Sequence, residues 1–177
     1  MNSTIELNNE QKLYLWYELY FSNVFNYGLK LTIDEDIIKN SMQEVFIHLS
    51  QNLKLIEDIK DPKVYLYTSL RCKIILELKK KYNYNSVETM KGNFEVKLSS
   101  ESGSVFQKEF NEDKTQFTEC FNKLTFYQKE ALLLRFSENL SYYEISQTMQ
   151  LQNVNYAREL IYTAIKKLKT KSYSEPT

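Results

Sequence analysis

The chain has 177 residues, 42% of them hydrophobic and 26% charged, which suits a globular protein of one ordinary domain or two small ones. With 3 Gly and 2 Pro it fits neither a collagen-like repeat nor a turn-dense β-sandwich. Lys+Arg and Asp+Glu stand at 23 each, so any affinity for nucleic acid must come from how charge is distributed, not from its sum.

Helical patterns lead the chain. Leu13, Trp16, Tyr17, Tyr20, Val24 and Tyr27 recur at three- and four-residue steps and predict a helix over 13–31. Asp34, Glu35 and Asp36 then place acid where it complements the positive end of a second helix, whose inward stripe is Ile38, Met42, Val45, Phe46 and Leu49. Asp61 as N-cap and Pro62 in the first turn open a third. Its stripe is Tyr67, Leu70, Ile74 and Leu78, and it runs out into Lys79, Lys80 and Lys81. Residues 82–104 hold many Ser and Asn and read as a flexible linker, with a short helix resuming near Val105.

The remainder is helical again. Thr125 with Gln128 forms a capping box that opens a helix over 126–136, and Ser137-Glu138-Asn139 breaks it. Ser141 with Glu144 is a second capping box, for a helix through Met149. Val154, Ala157, Leu160, Ile161, Ala164, Ile165 and Leu168 mark a longer one. The chain therefore reads as all-α, with two small helical domains over 1–81 and 105–177, their relative placement left open by the linker. Residues 1–81 balance eleven basic against eleven acidic residues, whereas 120–177 hold eight against five, a net of +3. Five basic residues stand against Glu77 over 71–81, and five against Glu159 over 154–171, which gives one basic patch per domain.

Cys72 and Cys120 match no metal spacing and argue for a reducing compartment. The opening MNSTIELNNEQK is unlike a secretory signal, and no stretch reaches the roughly 18 apolar residues of a membrane span, so a cytoplasmic protein is expected. There is no Gly-rich phosphate loop, no paired-His metal spacing and a single histidine, so no catalytic residue, metal or cofactor is expected. Met42, Met149, Cys72 and Tyr67 read as packing residues, and His48 as a solvated or interface side chain.

The informative stretch is 140–169, a short capped helix, a turn and a longer helix with a basic end. That is the layout of a helix-turn-helix, whose second helix enters the DNA major groove. Asn155, Arg158, Glu159, Tyr162, Lys166 and Lys169 lie opposite the apolar stripe. Asn, Arg and Glu can read base edges, while Lys and Tyr suit phosphates. A surface helix of an ordinary bundle has the same polar face, so spacing alone leaves the two readings level.

Here the sequence resembles a family. LTFYQKEALLLRFSENLSYYEISQTM followed by ARELIYTAIKKLK resembles region 4 of sigma-70-type RNA polymerase sigma factors, in particular the small extracytoplasmic-function (ECF) group. YGLKLTIDEDIIKNSMQEVFIHL is similar to the core-binding helices of region 2, and DPKVYLYTSLRCKIILELKKK to the part that melts and holds the −10 element. The linker falls where the family has a variable connector, and the resemblance covers about residues 12–170. Cys72 and Leu76 stand where the family commonly has Asn and Asp, and the turn in MQLQNVNYARE lacks the common Gly and runs slightly longer.

The resemblance implies a three-helix region 2 and a helix-turn-helix region 4, in a factor without catalysis of its own that directs core RNA polymerase to promoter DNA. It implies that Asn155, Tyr156, Arg158, Glu159 and Tyr162 read the −35 duplex, that Lys166 accompanies them, and that Ser141 and Tyr142 meet phosphates through their amides. It places an extruded −10 base near residues 57–61 and the helix over 65–73, where Tyr65 or Tyr67 could stack on it, with Arg71, Lys73, Lys79, Lys80 and Lys81 on the backbone. It assigns polymerase binding to Asp36, Gln43, Glu44, Ile47 and His48, and it adds an anti-sigma factor as a further kind of partner. Two other classes fit the same pattern: a helix-turn-helix regulator acting without polymerase, and a helical adaptor that binds only protein.

Overall fold

Capping side chains and breakers set the element boundaries. The structure, a computed structural model, describes residues 7–83 and 114–169, which form eight helices and no strand. The linker from residue 84 and the helix expected near Val105 lie outside the described residues. Helix α1 (Asn9–Leu31) starts on a reciprocal capping box between Asn8 and Gln11. Helix α2 (Glu35–Gln51) starts where the Asp34 carboxylate accepts the Ile37 N–H. A single turn, α3 (Leu55–Asp58), leads to α4 (Pro62–Tyr82), capped by Asp61. Asn83 ends α4 in the left-handed conformation at φ 53°, one residue beyond the boundary read from the sequence.

Helices α1, α2 and α4 pack on one another as three rods. Trp16, Val24, Tyr27 and Leu31 meet Ile38, Met42, Val45 and Leu49, and both rows meet Leu66, Tyr67, Leu70, Ile74 and Leu78. Tyr17, expected inward, is 42% exposed. Gly28 permits the close approach of these rods, because a Cβ there would lie 2.7 Å from Cγ2 of Ile38.

The second half comprises α5 (Lys114–Asn122), α6 (Phe126–Phe136), α7 (Tyr142–Thr148) and α8 (Val154–Lys169). Both expected capping boxes are present, Thr125 with Gln128 and Ser141 with Glu144. The turn between α7 and α8 needs a left-handed residue, and Gln150 supplies it at φ 53° in place of glycine. Its N–H reaches Gln147 O at 3.1 Å and the Leu151 N–H reaches Ser146 O at 2.8 Å, the paired bonds that close a helix end.

The two halves pack against each other, α4 on α7, within one continuous core. Two carboxylates of the second half organise the seam. Glu130 on α6 is fully buried and accepts the Tyr27 hydroxyl at 2.6 Å, Arg71 Nε at 2.6 Å and Arg71 Nη2 at 3.0 Å. Glu138, beyond the end of α6, accepts Lys30 Nζ at 2.7 Å and the Tyr67 hydroxyl at 2.7 Å, while its backbone carbonyl accepts Lys63 Nζ at 3.3 Å. The two tyrosine rings lie 5.1 Å apart. Burial, and then the Glu130 charge, push the Tyr27 hydroxyl well above its ordinary pKa; burial and Glu138 do the same to Tyr67. Both therefore remain protonated donors. Burial works against the Arg71 charge, but the Glu130 carboxylate outweighs it and holds the guanidinium ionised.

Replacing Gly28 by Ala adds about 1 kcal/mol of helix propensity but forces a methyl against the stiff β-branched side chain of Ile38, an overpacking that costs about 1–3 kcal/mol. Gly28→Ala is expected to lower the urea midpoint of unfolding, and a midpoint above that of the unaltered chain would refute this account of the α1–α2 contact.

Candidate nucleic-acid interface

Helix α8 is two-sided because its stripe has somewhere to go. Ala157, Leu160, Ile161, Ala164 and Leu168 are buried, and Asn155, Tyr156, Arg158, Glu159, Tyr162, Lys166 and Lys169 are exposed. Its first turn is held where the Asn153 side chain accepts the Tyr156 N–H at 3.0 Å. Its rotation is held by α6. The Gln128 amide donates to Thr163 Oγ1 at 3.0 Å, and its carbonyl accepts Lys167 Nζ at 3.1 Å and, as part of the capping box, the Thr125 N–H at 3.2 Å. One side chain thus starts α6 and fixes α8.

Tyr142 joins all three helices. The guanidinium of Arg135 lies 5.0 Å from its ring centre and that of Arg158 lies 5.5 Å away. Arg135 also donates to the Leu140 carbonyl at 3.0 Å, so it holds the entry to α7. Arg158 is therefore poised between the start of α7 and the open face of α8. The expectation for Ser141 needs correction: its N–H donates to the Glu144 carboxylate at 2.6 Å. Burial would raise the Glu144 carboxyl, but its hydrogen bonds from Ser141 hold it below its ordinary value, so an anion already sits at this helix start.

The residues expected to hold a melted strand fare differently. Arg71 is corrected outright: it is 4% exposed and spent on Glu130. Lys73 pairs with Glu44, Lys80 with Glu77 at 2.7 Å and Lys81 with Asp34 at 2.6 Å. Lys79 is half-buried on the same helix end. Tyr65 is half-buried in a cleft of about 510 Å³ between α4 and α7, opposite Ser146, Gln147 and Gln150.

On α2, Asp36, Gln43, Glu44, Ile47 and His48 are all exposed. Asp36, Gln43 and Ile47 share one line along the helix, and Glu44 is turned to Lys73. Gln43 and Ile47 also border an apolar groove of about 730 Å³ between α1 and α2, walled by Tyr14, Tyr17, Phe21 and Phe46. Tyr17 and Phe21 rings lie 4.6 Å apart, and Tyr17 meets the edge of Phe46 at 5.2 Å. Of the groove's residues, the sequence reading singled out Gln43 and Ile47 as binding residues, and it placed the adaptor alternative's interface on the aromatic first helix and the acidic second without naming the groove. The signal was a second aromatic stripe, Tyr14, Tyr17, Phe21 and Phe25, at helical steps beside the buried one.

Among the described residues no group of His, Cys, Asp or Glu could hold a metal ion, and no helix is long and apolar enough to cross a membrane. No protein-family model matches the chain, and no curated protein matches it.

The cap of α2 gives a pH test. The hydrogen bond from Lys81 holds the Asp34 carboxyl below its ordinary value of 3.8. The folded value lies under the unfolded one, so the ionised carboxylate stabilises the fold above 3.8 and this contribution fades as pH falls through the folded value. Asp34→Asn keeps a capping side chain but loses the charge. Its stability deficit in urea unfolding is expected near pH 7 and should shrink as pH falls below 3.8, whereas a pH-independent deficit would contradict it.

Proposed function

We propose that the chain is a sigma-70-type RNA polymerase sigma factor of the ECF group, a cytoplasmic protein that binds core polymerase and selects promoters without catalysis of its own. The observation that carries this reading is the two-sided α8, seated behind a capped short helix and a tight turn, with Asn155, Tyr156, Arg158, Glu159 and Tyr162 turned outward together. This is the arrangement in which a helix can lie in a major groove while its domain stays folded. In this reading region 4 is the second half, and Asn155, Arg158 and Glu159 meet base edges while Tyr162 and Lys166 meet the backbone.

The first half would be region 2. Its polymerase-facing surface would be the Asp36–Gln43–Ile47 line together with the aromatic groove, which suits the apolar side of a partner helix rimmed by polar groups. Capture of the −10 strand would fall to Tyr65 and to Lys73, Lys79, Lys80 and Lys81 at the end of α4. An anti-sigma factor remains a proposed partner on the resemblance alone.

Co-purification with core polymerase and promoter-directed run-off transcription test the reading directly. The chain is expected to join core enzyme and to change its promoter choice; neither happening would remove the proposal. Arg158→Ala is expected to relax base preference at one −35 position, at a cost of about 1–3 kcal/mol of discrimination, measured by competition among promoter variants. A uniform loss across sequences would make Arg158 a phosphate contact instead.

A second reading is favoured by the seam between the halves. A helix-turn-helix regulator acting without polymerase would use the described body as it stands, with Arg71 kept structural. Such a protein would footprint duplex DNA alone and ignore core enzyme.

A further inference from the structure

We propose that two copies of the chain pair through the aromatic groove between α1 and α2, about a two-fold axis that passes near Tyr17. This goes beyond the polymerase reading and does not depend on it. It does cover Gln43 and Ile47, which that reading also uses, so the second copy and a polymerase compete for one surface.

The groove is self-complementary from end to end. Three residues join α1 to α2, so the two rods are antiparallel neighbours. Lys39, near the start of α2, therefore borders the Phe25 end of the groove, and Ser50 and Leu53 border the Glu10 end. Glu10 and Lys39 are the charged residues of the lining, and they stand at opposite ends. A two-fold axis at mid-groove exchanges the ends. It sets Glu10 of each copy against Lys39 of the other, so both ends of the interface match charge with opposite charge. Lys39 bonds to Glu35 at 3.0 Å, yet its side chain is 57% exposed and faces outward.

The apolar lining obeys the same operator. Along α1, antiparallel pairing about Tyr17 puts Tyr14 of one copy over Phe21 of the other. Tyr14 is a ridge, 68% exposed, and Phe21 is half-buried in the groove, so ridge meets hollow twice. Tyr17 and Ile47, both exposed, close over the middle. Glu18, next to the axis, does not line the groove and stays at its exposed rim. Leu7, Leu15 and Leu19 are exposed on α1 as well, and a helix apolar on its water side as on its core side is one that association covers.

The size of the surface sets the strength. From Glu10 to Phe25 the groove runs about 22 Å along α1, and two adjacent helices span about 20 Å, so each copy covers roughly 400 Å². A total of about 900 Å² belongs with transient contacts, so the pair forms reversibly and at high concentration.

Sedimentation equilibrium of the full chain over about 5–200 µM, the range suited to so small an interface, reads the mass directly. A rise from one copy to two is expected. Tyr17→Glu sets two like charges at the axis and is expected to hold the chain at one copy. Glu10→Lys and Lys39→Glu each oppose like charges at both ends, and either alone should weaken pairing by about fivefold or more; together they restore it to within about twofold. A single copy at every concentration would overturn the proposal. So would pairing that survives Tyr17→Glu, single reversals without effect, or a double reversal that fails to restore the pair. If Tyr17→Glu loses its helical circular dichroism, the charge reversals at the two exposed positions decide alone. Added core polymerase separates this proposal from the sigma-factor reading: a chain that pairs but ignores the enzyme loses only that reading, and one that joins the enzyme but never pairs loses only this proposal.

Discussion

A carboxylate with no access to water must be met by charge and hydrogen bonds, and Glu130 is met by Arg71 through two hydrogen bonds and by Tyr27 through a third. The arrangement of the whole body depends on this meeting. Glu130 comes from α6, Arg71 from α4 and Tyr27 from α1, so one buried anion ties the second half to two of the three rods of the first. Removing either member of such a pair costs about 3–5 kcal/mol, because the other is left charged in the core. The pair therefore sets the register of the halves far more strictly than it stabilises them.

The same economy of contacts recurs around α8. Gln128 begins α6, bonds to Thr163 and receives Lys167, so the helix that would read DNA is indexed against the helix behind it. Tyr142, between Arg135 and Arg158, indexes the start of α7 against both neighbours. A recognition surface needs rigid support beneath it, since displacement of a side chain by a fraction of a hydrogen bond's length loses the bond to a base edge. The polar face of α8 is exposed, whereas Gln128 behind it is buried and Arg135, Tyr142 and Thr163 are half-buried.

The first half shows how one helix serves two surfaces. In α1, Trp16, Val24, Tyr27 and Leu31 face the rods, while Tyr14, Tyr17 and Phe21 line the groove toward α2. Both rows hold aromatic residues, so hydropathy alone does not separate the core from the groove. An exposed aromatic row of this extent on one side of a bundle is what a partner helix can cover. It adjoins Gln43 and Ile47, two of the residues that the family resemblance assigns to polymerase contact.

The local part of this architecture was written in the sequence. Asp61 with Pro62, Thr125 with Gln128 and Ser141 with Glu144 mark helix starts through bonds within one turn, and the stripes of α2, α4 and α8 follow from helical period. The outward set on α8 followed from the same period. What no local rule contains is partnership across distant segments. Arg71 lies one residue from the inward stripe of α4 and reads as a member of the basic patch over 71–81 until Glu130 is brought to it. Gln150 reads as an ordinary turn residue until the α7 end requires a positive φ. Burial of charge, closure of the seam and opening of the aromatic groove were decided by tertiary structure, because each depends on which surface arrives opposite, and propensity and periodicity describe only one surface at a time.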